Sequence, residues 1–295
     1  MKNLTNLGFL IDEKIKDKIE NLSEEELYRL IEGLKKENIF IINDGVLRNL
    51  LSEDVKILRT FKKTEKFNVQ DYVRNLNERY SFLQNILMKK LELSNIVSID
   101  KSSDGSASII GIAKEKEEKI ENIIVSLEDP TGEIKAVIPK KIGEKLALDD
   151  VVALTGIIEN KILNVDRILF PDVPLKNVAY TQDSIKIAFS SEKNVDADYI
   201  VRNNKIEDRI KNKEVEITNP CIFKIGNVLF LLILGYDPLD ALKKRYVSIE
   251  NSDFIMEPSP DIVFTDKGIN TNYKGISVVS ENKIVDLKTR ETRSI

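Results

Sequence analysis

Histidine is absent from all 295 residues, tryptophan is absent as well, and Cys221 is the single cysteine. Histidine is the usual general base near neutral pH and the commonest ligand of catalytic metals. Its absence excludes His-dependent triads and His-containing metal centres, and leaves chemistry by carboxylates and lysines open. One cysteine permits no internal disulfide and no cysteine metal cluster, which fits a reducing, intracellular setting. No window approaches the roughly 20 apolar residues of a membrane span. The opening "MKNLTNLGFLIDEKIKD" has acids early and no long apolar run, unlike a signal peptide. A soluble, cytoplasmic chain is expected. Neither charge sign dominates, with 45 basic and 49 acidic side chains, a net charge of -4 and a pI near 5.4. That balance argues against a surface that is phosphate-binding throughout, and leaves a local basic patch open.

What is present suffices for packed cores. Hydrophobic residues make up 42% of a length that suggests two or three domains. Residues 1–95 show helical spacing. In "NLSEEELYRLIEGLKKENI", Ser23 and Glu26 form a capping box, and Leu27, Leu30, Ile31 and Leu34 share one face. Asn68 is placed to cap a second helix whose stripe is Tyr72, Val73, Leu76, Tyr80, Leu83 and Leu87. Between them "VKILRTFKK" suggests a short strand or extended connector. "QNILMKKL" has some likeness to a sliding-clamp-binding box, but it lacks the closing aromatic pair and lies inside an amphipathic stripe.

From 96 to 175 the period changes to two. "SASIIGIA", "NIIVSLE", "EIKAVIP", "VVALTGII" and "ILNVDRILF" are strand candidates, with the helix-like "KKIGEKLA" between the third and fourth. That order is the plan of an OB-fold barrel. Asp129, Pro130 and Gly132 supply the turn of its central hairpin, "VSLEDPTGEIKAVIP". Single-strand readers of this class stack bases on aromatic side chains. From Lys101 to Leu169 there is no Phe, Tyr or Trp. A structural or protein-docking barrel is therefore favoured over a nucleic-acid reader.

"FPDVP", residues 170–174, marks a boundary. Residues 176–295 suggest an α/β unit on a buried sheet. Its strand candidates are "SIKIAFS", "EVEIT", "CIFKIG", "VLFLLILGY", "SDFIM", "PDIVFTD" and "GISVVS". "VLFLLIL" has the continuous apolar run of a strand buried on both faces, and "DPLDALKKR" suggests a helix. "EKNVDADYIVRNNKIEDRIKNKEV" suggests a surface loop or short helix, and "KTRETRSI" a polar tail.

Taken in order, "VKILRTFKK", "VQDYVRNLNERYSFLQNIL", "VSLEDPTGEIKAVI", "LDDVVALTGI" and "VDRILFPDVP" resemble the small subunit of the archaeal D-family DNA polymerase, a relative of the B-subunits of eukaryotic replicative polymerases. The resemblance implies a helical module with linker over 1–95, an OB-fold over 96–175, and a calcineurin-like phosphoesterase domain over 176–295. In the archaeal family that last domain is a metal-dependent 3′–5′ exonuclease. Here the sequence departs from the pattern. The family's metal-ligand motifs fall at Ser191, Lys193, Leu234, Lys267 and Ile269, and a long middle stretch with its Gly-Asp and Gly-Asn-His-Asp motifs has no counterpart. Two metal ions need carboxylates and imidazoles to hold them about 3.5–4 Å apart. A lysine brings positive charge there, and leucine and isoleucine bring no lone pair. The resemblance thus implies a shortened remnant with no catalytic residues, metal or cofactor of its own.

Its expected role is that of a scaffold in a heterodimer with the catalytic large subunit, meeting DNA through that complex. The sliding clamp stays open as a further partner. The competing readings are a stand-alone DNA-binding accessory protein and a nuclease with remodelled chemistry.

Overall fold

The computed structural model describes residues 2–51, 54–61, 69–90, 92–192, 194–249 and 252–295; Asn68 and Lys193 lie outside them. The N-terminal unit runs α1 (Lys2–Asn6), β1 (Leu10–Ile11), α2 (Lys16–Glu20), α3 (Glu24–Lys36), β2 (Ile41–Ile42) and α4 (Asp44–Leu51). Both halves of the Ser23–Glu26 capping box form, with the Ser23 N–H donating to Glu26 at 2.8 Å. Leu30 and Leu34 are fully buried beside Leu4, Phe9, Ile15, Ile19, Ile42 and Leu47. That core ends near residue 51. The remainder of the expected 1–95 module goes elsewhere. β3 (Lys56–Thr60) is a strand of a C-terminal sheet, and α5 (Val69–Met88) lies on the barrel. Tyr80, Leu83 and Leu87 are buried as their stripe predicts, while Tyr72 and Val73 stand exposed on the opening turns.

The barrel is β4 (Gly105–Glu118), β5 (Asn122–Asp129), β6 (Gly132–Pro139), α6 (Lys140–Gly143), β7 (Val151–Glu159) and β8 (Ile162–Leu169). It closes in the order β4-β5-β6-β8-β7, with only β6 and β8 parallel. Alternate residues Ile123, Val125, Leu127, Ile134, Ala136, Ile138, Val152 and Leu154 fill it. This matches the five strands and intervening helix expected from the sequence, and is consistent with an OB-fold. Gly156 sits at a bulge where β7 crosses β8; a Cβ there would lie 1.9 Å from the Asn164 carbonyl oxygen.

The C-terminal part contains β9 (Lys186–Phe189), β10 (Tyr199–Val201), β11 (Lys205–Asp208), β12 (Lys213–Glu216), β13 (Cys221–Ile225), β14 (Val228–Leu232), α7 (Pro238–Lys244), β15 (Tyr246–Ile249), β16 (Ser252–Ile255), β17 (Ile262–Thr265), β18 (Thr271–Tyr273), β19 (Ile276–Ser280), β20 (Lys283–Asp286) and β21 (Thr292–Ser294). Two six-stranded sheets, β12-β11-β10-β9-β20-β21 and β18-β19-β17-β14-β13-β3, share one core. Phe189, Tyr199 and Ile206 from the first meet Phe223, Phe230 and Phe264 from the second. β14 is buried on both faces, as its apolar run predicts. Phe230 and Leu232 enter the inter-sheet core, and Leu231 packs with α7 and the β15–β16 ribbon.

Two expectations are corrected. The polar segment read as loop or short helix holds β10 and β11, with Tyr199, Ile200 and Val201 fully buried. Three central residues paired to β9 and β11 need no alternation to be strand, since ladders and burial on both faces stabilise them. The polar tail is β21, paired to β20 at the sheet edge.

Candidate functional site

β9 and β10 run parallel, as do β14, β17 and β19. Leu232 is level with Phe264, Thr265 with Ser280, and Phe189 with Lys283, so the carboxyl ends of β9, β14, β17 and β19 converge on one rim of the sandwich. Such rims are where α/β sheets usually bind ligands. Ser191, Leu234, Lys267 and Ile269 all follow strands that end on or near it.

The polar groups there satisfy one another. Ser191 donates to Glu281 at 2.7 Å, and the Gly235 N–H donates to both Asp266 carboxylate oxygens at 3.0 and 3.1 Å. Leu234 exchanges hydrogen bonds with the Asn219 amide at 2.8 and 3.0 Å. Ile269 turns to the apolar cluster around α7. Arg202 reaches the Ser190 carbonyl at 2.9 Å and pairs with Glu207 at 2.6 Å. Among the described residues no three Asp, Glu or Cys side chains gather as a metal ion would need. The donor chemistry does not fit a pair of divalent cations.

The hairpin turn is a latch. Asp129 Oδ1 accepts from the Thr131 N–H and hydroxyl at 2.7 and 2.6 Å and from the Gly132 N–H at 3.0 Å. Its Oδ2 accepts from the Ile99 N–H at 2.9 Å, and Thr131 Oγ1 accepts from the Asp100 N–H at 3.1 Å. The turn, with Pro130 at its head, thus fixes the segment that enters the barrel. Asp129→Ala should cost about 2 kcal/mol of stability, measured by urea unfolding, because several charge-assisted bonds go together. A loss below about 0.5 kcal/mol would count against this role.

α5 covers one outer face of the barrel. Leu83 and Leu87 pack on Val151 and Ala153, and the Tyr80 hydroxyl donates to the Ile110 carbonyl at 3.1 Å. Burial pushes the Tyr80 phenol up to about 12. The outward positions of β5 and β6 are Ile124, Ser126, Glu128, Glu133, Lys135 and Val137, with Ser126 hydrogen-bonded to Glu133. A base-stacking platform is missing from that face.

Arg79, 1% exposed, joins the barrel to the sandwich. It donates to Asp253 at 3.0 Å and to the Asp149 carbonyl at 3.0 Å, and its guanidinium lies 4.5 Å from the Tyr246 ring centroid. The Tyr246 hydroxyl donates to Asp150 at 3.0 Å, and Lys244 Nζ lies 3.2 Å from the same carboxylate. Burial raises the Asp150 carboxyl, against the pull of Lys244. Sequence spacing gives no hint of this group, because its members come from α5, a barrel loop, α7 and the β15–β16 ribbon.

No family model matches the chain. The DNA polymerase II small subunit of Archaeoglobus fulgidus is 25% identical over 193 residues, 64% of this chain and 38% of that protein. The Pyrococcus furiosus DNA polymerase II small subunit is 31% identical over 150 residues, 48% of this chain and 24% of that protein. By sequence, the chain is similar to archaeal DNA polymerase II small subunits over part of its length. It spans well under half the length of these relatives. Among solved structures, asparaginyl-tRNA synthetase from Pyrococcus horikoshii aligns with 22% of this chain and 19% of its own at 20% identity, and its TM-score of 0.21 carries no argument.

Proposed function

We propose that the chain is a non-catalytic small subunit that binds the catalytic large subunit of a D-family DNA polymerase, with residues 176–295 a phosphoesterase-like remnant serving as platform. The carrying observation is a rim of strand ends whose carboxylates and amides are consumed by internal hydrogen bonds, on a body whose barrel and sandwich are tied through Arg79. A fold kept rigid without a reaction centre suits a docking surface. Family pairing at this scale implies an interface near the standard ~1,600 Å².

Co-expression with the large subunit of the same organism should give one peak on size exclusion at micromolar concentration. Separate elution would favour the accessory-protein reading. The N-terminal unit has its own core, so removing residues 1–51 should leave the association intact.

A further inference from the structure

Asp150, the residue before β7, is 1% exposed, and its carboxylate reaches across the joint between barrel and sandwich. Oδ1 accepts from the Tyr246 hydroxyl at 3.0 Å. Oδ2 accepts from the Ala147 N–H at 2.8 Å and lies 3.2 Å from Lys244 Nζ. A buried carboxylate is a costly group, and removing its charge ordinarily strands the cation beside it. Here neither donor from the sandwich depends on Asp150 alone. The Tyr246 hydroxyl also lies 3.3 Å from the Asp149 carbonyl oxygen, a second acceptor in the same barrel loop. Lys244 Nζ also lies 3.0 Å from Asp240, one turn earlier on α7.

The other charged groups at the joint are held by their own partners. Arg79, from α5, donates to Asp253 on β16 and to the Asp149 carbonyl, each at 3.0 Å, and Ser248 on β15 donates to Asp253 at 2.6 Å. The Asp149 side chain turns to Lys114 on β4 at 3.7 Å. A carbonyl oxygen has two lone pairs, so that of Asp149 can accept from Arg79 and Tyr246 together. A proton on Asp150 Oδ1 would donate to the Tyr246 oxygen, whose own hydrogen then turns to Asp149. Ala147 keeps Oδ2 and Lys244 keeps Asp240. Two arrangements of one buried network are therefore both paired, where a half-satisfied network would be costly.

We propose that Asp150 is a proton-operated switch in this joint. With a proton on Oδ1, the Tyr246 hydroxyl turns to the Asp149 carbonyl and Lys244 draws back to Asp240 on its own helix. The barrel then gives up its ion pair with α7 and keeps its hydrogen bonds to Arg79 and Tyr246. Burial raises the Asp150 carboxyl, with Lys244 pulling the other way. A carboxyl whose folded value lies above the unfolded one, about 3.9, holds its proton more tightly in the folded chain. Its contribution to stability is fullest below the unfolded value and is lost as pH rises through the folded one, the reverse of the usual paired carboxylate. The switch lies in the joint itself and does not depend on the subunit reading.

Calorimetry of the full chain and of Asp150→Asn, which fixes the neutral form, tests it between about pH 4 and 8. Titrations elsewhere cancel in the difference. The Tm of Asp150→Asn minus that of the parent should grow with pH, by about 2–4 °C per pH unit until the carboxyl has titrated. Carbon-13 NMR of the aspartate carboxyls reads the switch without unfolding, the Asp150 signal being the one that Asp150→Asn removes. Its midpoint should lie above the ordinary carboxylate value. Tyr246→Phe keeps the ring beside Arg79 but removes a donor to the carboxylate, and should move the midpoint up. Asp240→Asn leaves Lys244 to Asp150 alone, and should move it down. A merely structural role for Tyr246 or Asp240 would leave the midpoint in place. A midpoint at or below the ordinary value, a Tm difference that shrinks as pH rises, or a midpoint indifferent to both variants overturns the proposal.

Discussion

Arg79→Met should lower stability by about 3–5 kcal/mol, the usual cost of removing one partner from a buried pair. The substitution keeps the apolar stem of a residue only 1% exposed, so little packing is lost. What is lost is the charge that serves Asp253, Ser248 and the Asp149 carbonyl, and that lies over the Tyr246 ring. The Asp253 carboxylate, its side chain 11% exposed, would keep its hydrogen bond from Ser248 at 2.6 Å but lose its countercharge. A fall in Tm of about 10 °C is expected for a chain of this size. The double variant Arg79→Met with Asp253→Asn should lose less than the sum of the single changes, because the stranded anion is gone. Calorimetry of the four proteins decides the matter. A single-variant loss under about 1 kcal/mol would mean that the pair behaves like a surface ion pair and does not hold the barrel to the sandwich.

The parts of this fold that are legible in the sequence are those with local causes. The barrel strands alternate, the Asp129–Gly132 turn carries its own hydrogen bonds, and the Ser23 box and the Asp237-Pro238 start of α7 announce helices. β10 and β11 escape a reading by pattern because each has three or four residues, and Lys205-Ile206-Glu207-Asp208 shows one apolar side chain among charges. Their strand character comes from ladders made with residues distant in sequence. β3 reads as part of a helical module because nothing in "VKILRT" tells that it pairs with residues 221–224. The Arg79 group is invisible for the same reason: on a helix it is one more polar position. The rim is partly legible. The residue types at Leu234, Lys267 and Ile269 by themselves argue against metal, while the consumption of Asp266 and Glu281 by Gly235 and Ser191 comes from contacts between residues far apart in the chain.

That consumption leads to the largest expected effect. Purified chain, given manganese or magnesium, should release no nucleotide from single-stranded DNA above a protein-free control. A two-metal phosphodiesterase needs several anionic or imidazole ligands converging within about 4 Å, and a bridging carboxylate between the ions. Here the chain has no histidine at all. Asp266, which follows β17 directly, turns both oxygens to the Gly235 N–H at 3.0 and 3.1 Å, and Glu281 accepts from Ser191 at 2.7 Å. Recruiting either for a cation would break a bond that the rim now makes, and Lys267 adds a charge of the wrong sign. Enzymes accelerate their reactions by roughly 10⁶-fold or more, so a chain without such a site should fall to background and not to a reduced rate. Asp266→Asn and Glu281→Gln should therefore change nothing in this assay, although each should cost a little stability. Chelator-sensitive nucleotide release that either substitution abolishes would show instead that these two carboxylates form the core of a working site.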